Sequence, residues 1–148
     1  MKIAEIMTTD IITVQPDTKI SQAAGLLLEN HVNGLPVVDD DNNLVGILCQ
    51  SDLIVQQKKL PLPTVFTLLD GLIPLTSMSH LEKEVQKMAA TTVEQAMTHD
   101  PTSVSPDTEL EDVADLMVRK NFHTIPVVEE GKLVGVVGKE DVLKTLVR

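Results

Sequence analysis

Apolar and polar positions follow the same order twice along this chain. Each time, a short stretch rich in β-branched residues precedes a turn, a helical pattern, two apolar runs separated by a polar turn, and a second helical segment. β-branched residues favour strands, and apolar residues spaced three and four apart favour a helix with one buried face. The pattern therefore predicts the element order β-α-β-β-α, repeated once.

The predicted elements have clear positions in the chain. The strands of the first copy are Ile11–Val14, Leu35–Val38 and Leu44–Leu48. The buried helix faces are Ile20, Ala23, Ala24 and Leu27 in the first copy, and Leu110, Val113, Ala114 and Met117 in the second. A T-x-x-E capping box at Thr108 and Glu111 predicts the start of the second of these helices. The closing helix of each copy is expected to start near Ser51 or Glu140.

The two copies are an internal repeat, which is the feature to look for first in any chain. MTTDIITVQPDT at Met7 aligns with MTHDPTSVSPDT at Met97, and the same offset aligns Pro36-Val37-Val38 with Pro126-Val127-Val128. We therefore assign a first unit to residues 1–56, a linker to 57–91 and a second unit to 92–148. Units this small bury too little surface alone, so we expect one α/β (α+β) module in which they pack with pseudo-twofold symmetry.

The linker is predicted to be ordered. Ser79 and Glu82 have the spacing of a helix cap, and Thr92 with Gln95 predicts a short capped turn before the second unit. The segment Thr64–Leu75 is too apolar for a solvated loop, so we expect it to pack on the module or on a partner chain.

Composition excludes several function classes. The net charge is −10 and the only aromatic residues are Phe66 and Phe122, whereas nucleic-acid binding needs a basic surface or several exposed rings. The single cysteine, Cys49, cannot form an internal disulfide, which is typical of a reducing compartment. Neither a signal peptide nor an apolar run of about 18 residues is present, so we expect a soluble, cytoplasmic chain without membrane contact.

No pattern of catalytic or metal-binding residues is found in the sequence. The stretch GKLVGVVGKE fails as a phosphate-binding P-loop, because Leu133 stands where a glycine is required and Glu140 where Ser or Thr is required. The four histidines lack the spacing of zinc ligands, and no G-x-S-x-G motif is present. The sequence therefore predicts no catalytic residues, no metal site and no enzyme.

The repeated motifs resemble the cystathionine-β-synthase (CBS) domain. They are TVQPDT, NGLPVVD and LVGILCQSDL in the first copy, and SVSPDT, HTIPVVE and LVGVVGKEDV in the second. The resemblance implies a tandem pair with a regulatory rather than catalytic role. It also implies adenosyl ligands (AMP, ADP, ATP or S-adenosylmethionine) in two clefts between the units, no required cofactor, a homodimer, and an unidentified regulated protein.

The same resemblance implies the residues of each cleft. One cleft would use Ile12, Thr13, Val32, Asn33, Gly34 and Pro36 with Asp141. The other would use Thr102, Ser103, Phe122, His123, Thr124 and Pro126 with Asp52. An aspartate at a helix start suits the two hydroxyl groups of a ribose, and Lys139 is a cation near the first of these clefts. Asp52 and Asp141 are equally suited to simple helix capping.

The chain departs from the family pattern at Cys49 and Gly138, where a Ser or Thr is usual. His123 stands where the similar AMP-activated kinase γ subunit uses a histidine on nucleotide phosphate. We therefore expect the cleft with Asp52 and His123 to be the better nucleotide site. Two alternatives remain open: an S-adenosylmethionine-binding module, and a ligand-free homodimerisation scaffold favoured by the missing hydroxyl groups.

Overall fold

The structure is a computed structural model that describes residues 1–58 and 91–147. The first unit contains helix α1 (Ile20–Asn30), strands β1 (Gly34–Val38) and β2 (Leu44–Cys49), and helix α2 (Gln50–Lys58). The rest of the described chain contains α3 (Val93–Ala96), β3 (Thr98–His99), α4 (Leu110–Lys120), β4 (Thr124–Glu129), β5 (Lys132–Gly138) and α5 (Lys139–Lys144). A 3-10 turn at Ile3–Glu5 precedes all of these. The predicted mixture of helices and strands in two similar units is confirmed.

Each unit is built on an antiparallel hairpin. β1 pairs with β2 and β4 with β5, and the same register places Pro36 opposite Ile47 and Pro126 opposite Val136. β3 adds a third strand to the first hairpin. The helices that follow the hairpins begin at Gln50 and Lys139, each one residue before the predicted start.

Two of the local predictions were wrong. The stretch Ile11–Val14 is not a strand: only Val14 pairs, through a single parallel bridge to Val37. The capping box at Thr108 and Glu111 does not form, because Thr108 Oγ1 accepts the Ser105 N–H at 3.0 Å and Glu109 takes the N-cap position. The threonine closes a tight turn before the helix instead of capping it.

The segment that leads into each unit packs on the opposite unit. Ile3 is fully buried in the core of the second unit with Val113, Ile125 and Val127. Val93 is fully buried in the core of the first unit, which also contains Met97. The boundaries at residues 56 and 92 were drawn from the repeat, and the leading segments exchange places across them.

Backbone hydrogen bonds hold the exchanged segments. The Ile20 N–H donates to the Thr91 carbonyl and the Leu110 N–H donates to the Met1 carbonyl, both at 2.9 Å. These donors begin α1 and α4, so each helix start is satisfied by the other unit's leading segment rather than by a side chain. In the predicted turn, the Thr92 N–H donates to Gln95 Oε1 at 2.9 Å.

The two hairpin turns also touch. The Leu133 N–H donates to the Asn42 carbonyl at 3.1 Å, and Asn42 Nδ2 donates to the Leu133 carbonyl at 2.9 Å. Lys132 Nζ donates to the Asp41 carbonyl at 2.7 Å. The predictions for Thr64–Leu75 and for the cap at Ser79 fall outside the described residues.

Candidate functional site

Two cavities lie between the units, and each combines the helix-start aspartate of one unit with the loop before the hairpin of the other. The Asp52 cleft has a volume of about 510 Å³. Its lining includes Asn33, Gln50, Asp52, Thr98, Asp100, Thr102, Phe122, His123 and Thr124. The Asp141 cleft has a volume of about 190 Å³. Its lining includes Thr8, Asp10, Ile12, Val32, Asn33, Gly34, Pro36, His123, Thr124, Lys139, Glu140, Asp141 and Lys144.

Most of the residues implied by the resemblance line the cleft expected for them. The exceptions are Thr13, Ser103 and Pro126, which line neither cleft. Successive side chains of an extended segment point in opposite directions. Since Val14 and Val104 are directed into the cores, the preceding residues Thr13 and Ser103 point away from the cores. Pro126 is fully buried within β4, as is its repeat equivalent Pro36, which does line the Asp141 cleft.

Asp52 caps helix α2 and keeps acceptor capacity toward its cleft. The Cys49 N–H donates to Asp52 Oδ2 at 2.8 Å. Burial raises the pKa of the Asp52 carboxyl, and the hydrogen bond from the Cys49 amide offsets part of that rise. The Oδ1 atom accepts no hydrogen bond within the described part of the chain. A ligand hydroxyl at this oxygen would find an acceptor already oriented by its cap.

Cys49 is an inert neighbour of this carboxylate. Its thiol is half-buried against Gly34. Burial and the nearby Asp52 carboxylate together raise the pKa of the thiol to about 11. Because the thiolate is the reactive form of cysteine, the group acts as a small apolar side chain near neutral pH.

Asp141 caps α5 in a similar way, but its carboxylate has an additional hydrogen-bond partner. The Gly138 N–H donates to Asp141 Oδ2 at 2.9 Å. The Thr8 hydroxyl lies 3.3 Å from Oδ1 and 3.4 Å from Oδ2. Thr98 is the repeat equivalent of Thr8 and lines the Asp52 cleft, yet among the described contacts it makes no hydrogen bond to Asp52. The Asp141 carboxylate is therefore partly occupied by its own chain.

The clefts differ in their cations. Lys139 and Lys144 line the Asp141 cleft, and within the described residues no carboxylate pairs with either ammonium group. The corresponding start of α2 is Gln50, and the described lining of the Asp52 cleft contains no Lys or Arg. Both clefts carry carboxylates, since Asp100 and its repeat equivalent Asp10 face the two cavities.

Sequence reasoning missed the residues supplied by the exchanged segments. Thr8 and Asp10 line one cleft, and Thr98 and Asp100 line the other. Their signal was present in the repeat itself, because MTTD and MTHD match at both positions. Without the exchange, nothing local places these residues beside the helix-start aspartates.

The described residues form neither a metal site nor a membrane-spanning helix. No group of three or more histidine, cysteine or acidic side chains could hold a metal ion within residues 1–58 and 91–147. In the same residues, no helix combines the length and apolar character needed to cross a membrane.

Comparison with known proteins gives the same two units. The family model described as CBS domain matches residues 3–58 and 93–148. MJ1426, an uncharacterised protein of Methanocaldococcus jannaschii, is 31% identical over 99% of this chain and 92% of its own length. CBSX2, a chloroplastic CBS domain-containing protein of Arabidopsis thaliana, is 32% identical over 88% of this chain and 56% of its own sequence.

Solved structures agree with the fold. The crystal structure of CBSX2 in complex with AMP has a TM-score of 0.75 at 30% identity, covering 98% of this chain and 95% of that one. The CBS domain pair of MJ0100, in complex with 5-methylthioadenosine and S-adenosyl-L-methionine, has a TM-score of 0.74 at 23% identity. It covers 99% of this chain and 95% of that chain.

Proposed function

The chain belongs to the CBS domain family, which it represents as a tandem pair, and we propose that it is a regulatory module that senses an adenosyl ligand. The observation that carries the proposal is the pair of equivalent clefts, each with a helix-capping aspartate facing the loop before the opposite hairpin. The AMP complex of CBSX2 supports the ligand class. The role is regulatory rather than catalytic, and the lone cysteine supports a cytoplasmic location.

Each cleft has the parts that an adenosyl group needs. Adenine requires a mainly apolar slot with a few polar groups, and Phe122 and Val32 line the clefts at equivalent positions. The carboxylates of Asp52 and Asp141 suit the ribose hydroxyl groups. Backbone groups around these loops would distinguish adenine from guanine. We expect GMP to bind at least about tenfold more weakly than AMP, a difference of roughly 1.4 kcal/mol.

We propose that the Asp52 cleft is the stronger site. It is the larger cavity, no threonine hydroxyl of residues 1–58 and 91–147 bonds to its aspartate, and Phe122 offers a ring to cover adenine. Asp141 must instead exchange its contact with Thr8 for a ligand contact.

Titration calorimetry with adenosine, AMP and GMP tests the function and the ranking. Asp52→Ala is expected to abolish the stronger binding event because the ribose acceptor is lost, whereas Asp141→Ala should affect only the weaker one. Asp112→Ala is the control, since Asp112 is exposed at the start of α4 and lines neither cleft. Equal affinities for AMP and GMP would contradict the ligand class, and a dominant effect of Asp141→Ala would reverse the ranking.

Two other functions keep a specific observation in their favour. Cys49 and Gly138 remove the hydroxyl that would help with phosphate, which favours S-adenosylmethionine or no ligand over a nucleotide. S-adenosylmethionine in the same titrations separates these cases. If no adenosyl compound binds and the chain is still a tight dimer, the ligand-free scaffold is the better account.

A further inference from the structure

The two clefts share a wall. Asn33 and His123 line both cavities, and so does Thr124. Asn33 and His123 occupy the same position in the two repeats, immediately before β1 and β4. Ligands in the two clefts would therefore be neighbours across the same two side chains.

The backbone of this wall is tied to the helices that carry the aspartates. The Gln50 N–H donates to the Asn33 carbonyl at 3.1 Å, and the Lys139 N–H donates to the His123 carbonyl at 3.0 Å. The side chains of Asn33 and His123 are exposed, and within the described residues neither makes a side-chain hydrogen bond. Both are thus held in place by their backbone and free to serve either cavity.

The wall is chemically asymmetric. A histidine imidazole can become a cation and donate a charge-assisted hydrogen bond to an anion, whereas an asparagine carboxamide stays neutral. Of the described residues common to both clefts, only His123 carries an imidazole. Anionic groups bound on both sides would compete for one imidazole and repel each other across the shared wall.

Resting on the proposed function, we infer that the two clefts are negatively coupled through His123 for ligands that carry a phosphate, and independent for uncharged adenosyl ligands. The first phosphate to bind takes the imidazole, so the second ligand binds without it. An adenosine molecule has no group that needs this contact, and its binding in one cleft leaves the other unchanged.

The test is calorimetry on the full chain with AMP and with adenosine. Asp52→Ala and Asp141→Ala each leave a single working cleft and give its association constant alone. For AMP, the product of the two wild-type constants should fall about tenfold below the product of the single-cleft constants, the effect of one charge-assisted hydrogen bond. For adenosine the two products should agree to within about twofold.

His123→Asn places the same residue at both positions of the wall. For AMP, it should reduce the tenfold difference between the two products of association constants (the AMP deficit) to about threefold or less, which is the residual repulsion between phosphates. His99→Asn is the matched control, because His99 lies on β3 nearby but lines neither cleft, and it should keep the full deficit. If an aspartate variant does not fold, the ratio of the first to the second AMP association constant is compared between wild type and His123→Asn instead. An unchanged ratio overturns the inference.

The outcomes separate the coupling from the function. If no adenosyl compound binds to any variant, the proposed function fails and the coupling fails with it. If AMP and adenosine bind and, for each of them, the product of the wild-type association constants equals the product of the single-cleft constants, the function stands and the coupling is overturned. One AMP per wild-type chain supports the coupling if each single-cleft variant still binds AMP, and overturns it if only one variant does.

Discussion

At the scale of single residues, Gly46 and Gly135 permit the exchange of the leading segments. Gly46 lies in β2 and pairs with His99 of the segment that leads into the second unit. Gly135 lies in β5, where the adjacent Val136 forms a bridge to Thr8 of the segment that leads into the first unit. A Cβ at Gly46 would stand 2.9 Å from the Thr98 carbonyl oxygen, whereas one at Gly135 would stand 3.1 Å from the Thr8 carbonyl oxygen. The missing side chains make room for a backbone.

We therefore predict that Gly46→Ala lowers the free energy of unfolding by about 1–3 kcal/mol, because backbone must shift to admit the methyl group. The nearest atom at both positions belongs to a flexible methionine side chain, Met97 or Met7, so the backbone oxygen decides the difference: Gly135→Ala should cost less, since that oxygen is 3.1 Å rather than 2.9 Å away. Gly25→Ala is the control: it lies in α1 with open space around it, and alanine there should stabilise by about 0.5–1 kcal/mol. Urea denaturation measures the free energy of unfolding of all three variants. An unchanged value for Gly46→Ala would show that β3 does not pack tightly against Gly46.

At the scale of elements, the exchange means that the core of each unit is completed by the segment that leads into the other unit. Ile3 and Val93 are fully buried, each in the core of the opposite unit. The local hydrogen bonds repeat as well, since the Lys2 N–H donates to Glu5 Oε2 as the Thr92 N–H donates to Gln95 Oε1. The same short motif thus occurs twice, and each time it buries an apolar residue in the core of the opposite unit.

Ile3→Ala should lower the free energy of unfolding by about 2–5 kcal/mol, the usual result of deleting a buried aliphatic side chain. Hydrogen exchange gives the location: amide protection should fall in β4 and β5 rather than in β1 and β2. Val93→Ala is the matched variant and should show the reverse pattern. Loss of protection in β1 after Ile3→Ala would mean that the segment belongs to its own unit.

At the scale of the whole molecule, both units expose the same apolar positions. Leu28 on α1 and Val118 on α4 are repeat equivalents, as are Ile54 on α2 and Leu143 on α5, and all four are more than half exposed. Exposed apolar residues at pseudo-symmetric positions suit contact with a second copy of the chain in a closed dimer. This surface adds to the apolar segment Thr64–Leu75, from which the sequence predicts a dimer.

Light scattering at tens of micromolar should therefore give twice the 16.1 kDa of one chain. Val118→Glu should shift the protein toward monomer, because a charge would have to be buried in the interface. Lys120→Glu changes charge nearby at an exposed position and should leave the dimer intact. A wild-type monomer at this concentration would contradict the prediction.

The sequence by itself determined the repeat, the hairpins and the helices with one buried face, because these depend on periodicity and turn chemistry within a few residues. It also pointed to Asp52, Asp141 and His123, which a repeated motif makes visible. Only the tertiary structure decided that Ile3 and Val93 exchange cores, that Thr108 closes a turn instead of capping α4, and that Asn33 and His123 line both clefts. The exchange and the shared wall depend on contacts between distant residues. At the start of α4, the Thr108 hydroxyl accepts the Ser105 N–H, and the Leu110 N–H donates to the carbonyl of the distant Met1.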